Sequence, residues 1–134
     1  MRLALAVAGG LLSLQALACG YCVEDKIAAV YDHAVVTGAL AAKHQVVFMH
    51  VEGTATRQAL ERAANAAGAD RGSVRVSGDL LTVSFAFDPR RGGLGPIHAG
   101  MEKRLQGVSL MPFQVMDKPG ETKRYSSGTT TMRP

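Results

Sequence analysis

At 134 residues and a formal net charge of +4, the chain has the size of one domain and is only mildly basic. Its Lys and Arg residues are interspersed with acids, and no dense basic stripe with interleaved aromatics occurs, which argues against nucleic acid as a partner. The two cysteines fall short of the four ligands typical of structural zinc.

Residues 1–18 read as a secretory signal peptide. Arg2 supplies a short positive start, Leu3 to Leu14 is an almost unbroken apolar run, and Ala16-Leu17-Ala18 has the small-x-small pattern of a cleavage site. The run is short of the roughly 20 apolar residues that a membrane helix needs, and no later stretch could span a bilayer. Export, to a periplasm, is therefore expected, with Cys19 as the first mature residue. Acylation of Cys19 as a lipoprotein is the lesser alternative, because a lipobox prefers Leu where Ala16 stands.

Residues 19–117 are expected to form one α+β domain. Residues 22–43 are predicted as a first helix, with Ile27, Val30, Tyr31, Ala34 and Val35 at three- and four-residue spacing, and Glu24 and Asp25 in its first turn. Residues 44–51 form the best strand, apolar on both alternating faces, as a central strand covered on each side would be. A second helix, capped by Thr54 or Thr56, carries the stripe Leu60, Ala63, Ala64 and Ala67 and ends near Gly68. Two strands follow over residues 73–77 and 80–88, joined at Gly78-Asp79; the second alternates Leu81, Val83, Phe85, Phe87 against Thr82, Ser84, Ala86, which predicts one buried face. Residues 89–95 are a flexible loop, and Pro96 opens a third helix to about Gln106. A last strand spans residues 108–116, with Pro112 marking an edge or a bulge. Met101, Met111 and Met116 fall at expected core positions, and residues 118–134 are polar enough to predict a disordered tail.

Without its leading helix this order is strand–helix–strand–strand–helix–strand, the split βαβ arrangement of a ferredoxin-like fold. The fold class expected is thus α+β, a ferredoxin-like βαββαβ sandwich preceded by an extra N-terminal helix. That helix is free to cover the other face of the sheet or one edge.

The chemistry concentrates at Cys19-Gly20-Tyr21-Cys22, directly ahead of the first helix. A helix N-terminus favours thiolate over thiol, and thiolates bind soft metals and attack disulfides. Two-residue spacing closes too short a loop to stabilise much as a staple, so it suits metal binding or redox exchange. His44 and His50, six apart on one predicted strand face, are weaker candidate ligands.

A single CxxC beside a βαββαβ pattern resembles the heavy-metal-associated domains of copper chaperones and metal-transporting ATPases. The resemblance covers residues 43–117 in topology and implies one soft monovalent ion held by both thiolates. In that family the pair lies between the first strand and first helix and is preceded by Met. Here it precedes an extra helix, and Leu17 stands in the place of that Met.

Three uses of the dithiol follow. The first is binding of copper(I) or another soft transition-metal ion at Cys19 and Cys22, for metal handling or resistance. Its partners would be the ion, a metal transporter or another metal-binding protein, and two chains could share one ion as a homodimer. The second is thiol–disulfide exchange, which lacks the preceding strand of a thioredoxin-like site. The third is a structural or redox-active disulfide in a non-enzymatic interaction module. Val23 in place of His excludes covalent haem attachment at this CxxC. No hydrolytic motif stands out, and Gly92-Gly93-Leu94-Gly95 lacks the Walker lysine, so no enzyme is expected.

Overall fold

Strand β1 (Gln45–Glu52) is the axis of the domain. In the computed structural model, which describes residues 23–124, it lies at the centre of a five-stranded sheet ordered β2-β3-β1-β4-β5, and every neighbouring pair is antiparallel. The other strands are β2 (Arg75–Val76), β3 (Thr82–Phe87), β4 (Ser109–Lys118) and β5 (Glu121–Arg124). The helices are α1 (Val23–Ala28), α2 (His33–Ala41), α3 (Arg57–Ala67) and α4 (Leu94–Arg104). The architecture is α+β.

Alternation along β1 divides its side chains between two cores. Val47, Met49 and Val51 join Phe85 and Phe87 of β3, Leu60 and Ala64 of α3, and Ile97 and Met101 of α4. Val46 and Phe48 point the other way, onto Ala86, Val30 and the α2 residues Val36 and Ala39. The sheet is therefore covered twice, by α3 and α4 on one face and by the α1–α2 segment on the other. This accounts for a β1 that is apolar at every position from Val46 to Met49. The helices α3 and α4 meet closely at Gly100, where an added Cβ would stand 3.3 Å from the Ala67 Cβ.

Several expectations are corrected. The leading helix is broken in two at Asp32, whose carboxylate accepts a hydrogen bond from the Val35 N–H (3.1 Å) and so caps α2 afresh. The same carboxylate pairs with Arg75 at 2.9 Å, which ties the break to the β2 edge. All six residues of β3 are buried, not one face. Its small residues Ser84 and Ala86 lie beneath the α1–α2 cover, and the Ser84 hydroxyl donates to the Val30 carbonyl at 3.2 Å. The helix α4 starts two residues before Pro96. Residues 118–124, expected within the tail, instead turn at Pro119-Gly120, with Gly120 at φ +76°, and return as β5. At Pro112 the β1–β4 register shifts, the irregularity that a strand proline imposes. Residues 1–22 and 125–134, which include the expected signal peptide, the dithiol and the remainder of the tail, lie outside the described residues. Among the described residues no helix is long and apolar enough to cross a membrane.

Candidate functional site

Cys19 and Cys22, the candidate metal ligands, also lie outside the described residues. Their position is bounded by the chain: Cys22 immediately precedes Val23, the first residue of α1. Three residues of chain, at most about 10 Å, separate it from Asp25.

From α1, Asp25, Lys26 and Ala29 line a cavity of about 380 Å³. Its opposite wall is the edge of the sheet face: His50 of β1, Thr82 of β3, and Asp79 and Leu81 from the β2–β3 turn. Register places Thr82 and Met111 directly across from His50 on its two sides. The turn is built by Asp79, whose Oδ1 accepts from the Ser77 hydroxyl (2.5 Å) and the Leu81 N–H (3.0 Å). Chiefly the Ser77 hydroxyl, then the Leu81 N–H, hold the Asp79 carboxyl below the usual carboxylate range, so it is ionised at neutral pH. The Lys26 ammonium lies 5.9 Å from the centre of the Phe113 ring.

His50 is the unusual group. Its Nδ1 is sealed from solvent and has no hydrogen-bond partner among the described residues. Most buried polar atoms are paired, so an orphan of this kind calls for a partner. Met111, expected in the core, is instead 45% exposed.

His44 occupies a different neighbourhood. It precedes β1, and Lys43 before it takes a left-handed φ of +61°. Its Nδ1–H donates to Asp70 at 2.5 Å, and its Nε2 stands 3.8 Å from Asp88. The Asp88 carboxyl, which also accepts from Arg90 and caps the 3-10 turn Pro89–Arg91, is held down to about 2, chiefly by the Arg90 guanidinium. His44 thus fastens the α2–β1 junction to two loops. Six residues of extended chain, about 20 Å at ~3.3 Å per residue, separate it from His50. The two histidines expected on one strand face are not brought together.

The remaining histidines are engaged locally. The His98 Nε2–H donates to the Leu110 carbonyl at 2.6 Å, and His33 contacts Tyr31 and Thr37. Among the described residues no group of three or more His, Cys, Asp or Glu side chains is arranged to hold a metal ion. Sequence reasoning missed Asp25, Asp79 and Met111 as neighbours of His50. The Gly78-Asp79 turn signal places Asp79 at the end of a hairpin, yet nothing in the sequence says that α1 lines a cavity with it.

Comparison with protein-family models, with curated proteins and with solved structures gives no match.

Proposed function

We propose that this chain is an exported, non-enzymatic metal-handling protein that binds a soft ion, copper(I) above others, through the thiolates of Cys19 and Cys22. The observation that carries the reading is the covalent placement of the only two thiols directly ahead of α1. That helix lines a cavity shared with His50, whose Nδ1 has no hydrogen-bond partner among the described residues, and the register partner of His50 is the exposed thioether of Met111. Soft thiolate, thioether and imidazole donors favour copper(I) over hard cations. The order β2-β3-β1-β4, with every neighbour antiparallel, supports a ferredoxin-like βαββαβ frame, with β5 added at one edge and α1–α2 as the extra cover. The leader-like sequence of residues 1–18 supports export to a periplasm.

Anaerobic competition against a chromophoric Cu(I) chelator tests the reading. The reduced chain takes copper from the chelator, and Cys22→Ser loses that ability while its far-ultraviolet circular dichroism stays unchanged. Equal competition by the two chains refutes it.

A second reading, an interaction module with a structural or redox-active disulfide, is favoured by one observation. An apolar groove of about 460 Å³ runs between α2 and the β4–β5 turn, lined by Tyr31, Val36, Leu40, Met116 and Pro119. A disulfide reading expects Cys22→Ser to lower stability with no copper binding to lose.

A further inference from the structure

We propose that His50 and Met111 form a nitrogen–sulfur site for a soft monovalent cation, beside the cavity that α1 lines and separate from the two thiols. This rests on the soft-metal reading for the nature of its natural ion; the site itself is built from described residues.

His50 and Met111 are register partners on β1 and β4, so their side chains leave the same face of the sheet. Directly opposed residues of an antiparallel pair have Cβ atoms about 4.5–5.5 Å apart, close enough for an imidazole and a thioether to reach one ion. Sequence neighbours show how selective the placement is. Leu110, one residue before Met111 and on the other face, is 2% exposed, whereas Met111 is 45% exposed. A large apolar side chain left this open on a strand gains little from burial, but its sulfur stays available.

The orphaned Nδ1 supplies the second half. A neutral imidazole carries one proton, and the other nitrogen keeps a lone pair. A buried N–H without an acceptor is rarer than an under-satisfied buried acceptor, so Nδ1 is best left as the lone pair, with the proton on Nε2. A soft cation at Nδ1 gives that lone pair the partner it lacks. Met111, unbranched and with three rotatable bonds, is the neighbour able to move aside and offer its sulfur to the same ion.

Charge agrees. The cavity beside His50 is lined by the Asp25 and Asp79 carboxylates against the single Lys26 ammonium, and Lys26 is directed over the Phe113 ring. The lining charge is therefore negative, which favours a cation. One imidazole nitrogen and one thioether select soft ions over Mg²⁺ and Ca²⁺, which take oxygen ligands.

Silver(I), a redox-inert soft cation, is the probe. The full chain carrying Cys19→Ser and Cys22→Ser is titrated with Ag(I) and followed by NMR at the Met111 ε-methyl and the His50 ring nitrogens. Both signals are expected to shift together and saturate at one ion per chain, with the larger nitrogen shift at Nδ1. Adding Met111→Leu, which conserves volume at an exposed position, or His50→Gln should weaken binding by about tenfold or more, since even residues outside a metal's own ligand shell cost about 10–100-fold. Silver that moves neither signal, or variants that titrate like their parent, overturns the site. Failure of the dithiol reading is read separately: the chain with both cysteines then binds no more silver than the double-serine chain, whatever His50 and Met111 do.

Discussion

Phe48→Ala should unfasten the α1–α2 cover from the sheet. Phe48 is fully buried at the centre of β1 and belongs to the cluster with Val30, Val36, Ala39, Val46 and Ala86. Phe48 is the one large side chain among that cluster's six buried members; the larger neighbours Ile27, Leu40, Phe113 and Met116 pack against it only partly buried. Truncating a core Phe costs about 3–5 kcal/mol, the upper part applying where the site cannot collapse. A domain of this size holds about 5–15 kcal/mol in total, so about a fifth or more of its stability is at stake. At about 4–8 °C of Tm per kcal/mol, the midpoint should fall by at least about 12 °C. Thermal and urea unfolding by circular dichroism measure this. Hydrogen exchange adds the direction: amides of α2 should lose protection before those of α3 and α4, whose core lies on the opposite face. A loss under about 1 kcal/mol, or protection lost evenly on both faces, would refute the two-core packing.

Ser84→Ala removes the hydroxyl that satisfies the Val30 carbonyl inside the same cluster, and leaving a buried acceptor unpaired should cost about 1–3 kcal/mol in urea unfolding. Gly53→Ala should destabilise more than an ordinary loop substitution, because Gly53 sits at φ +105° and an added Cβ would lie 2.4 Å from the Gly107 carbonyl oxygen; failure to fold at 37 °C, or a lowered Tm, is the expected readout. Acid should destabilise the fold. Asp32, Asp79 and Asp88 are held below the ordinary carboxylate value by the Val35 N–H, the Ser77 hydroxyl and the Arg90 guanidinium respectively. The unfolded chain therefore binds more protons below pH ~4, so the stability these groups add is complete above that value and is lost as pH falls toward 2. A Tm-against-pH curve that declines there, and declines less steeply in Asp88→Asn, is the expected result.

Much of the fold was legible because periodicity reports burial. The α3 stripe of Leu60, Ala63 and Ala64, with the Thr56 and Gly68 caps, appears as the spacing predicts. The doubly apolar β1 implied cover on both faces, and the sheet has it. What escaped was local polar chemistry competing with a strong pattern. Asp32 restarts a helix inside an Ala-rich run, and Pro119-Gly120 reverses a chain whose polarity looked like a tail. Ser84 and Ala86 looked like a solvent face because small residues serve equally under a close-packed helix. The candidate site was less legible. His44 and His50 satisfy a period-two argument, yet β1 begins only at Gln45; His44 is fixed by Asp70, distant in sequence, while His50 sits within the strand between Thr82 and Met111.

The most direct measurement is intact mass spectrometry of the protein purified without reductant, before and after anaerobic addition of Cu(I). A soft-metal dithiol predicts one copper gained per chain, or one per two chains where a dimer shares the ion, and lost in Cys22→Ser. A chain two mass units below its dithiol value that still takes up no copper after reduction would contradict it.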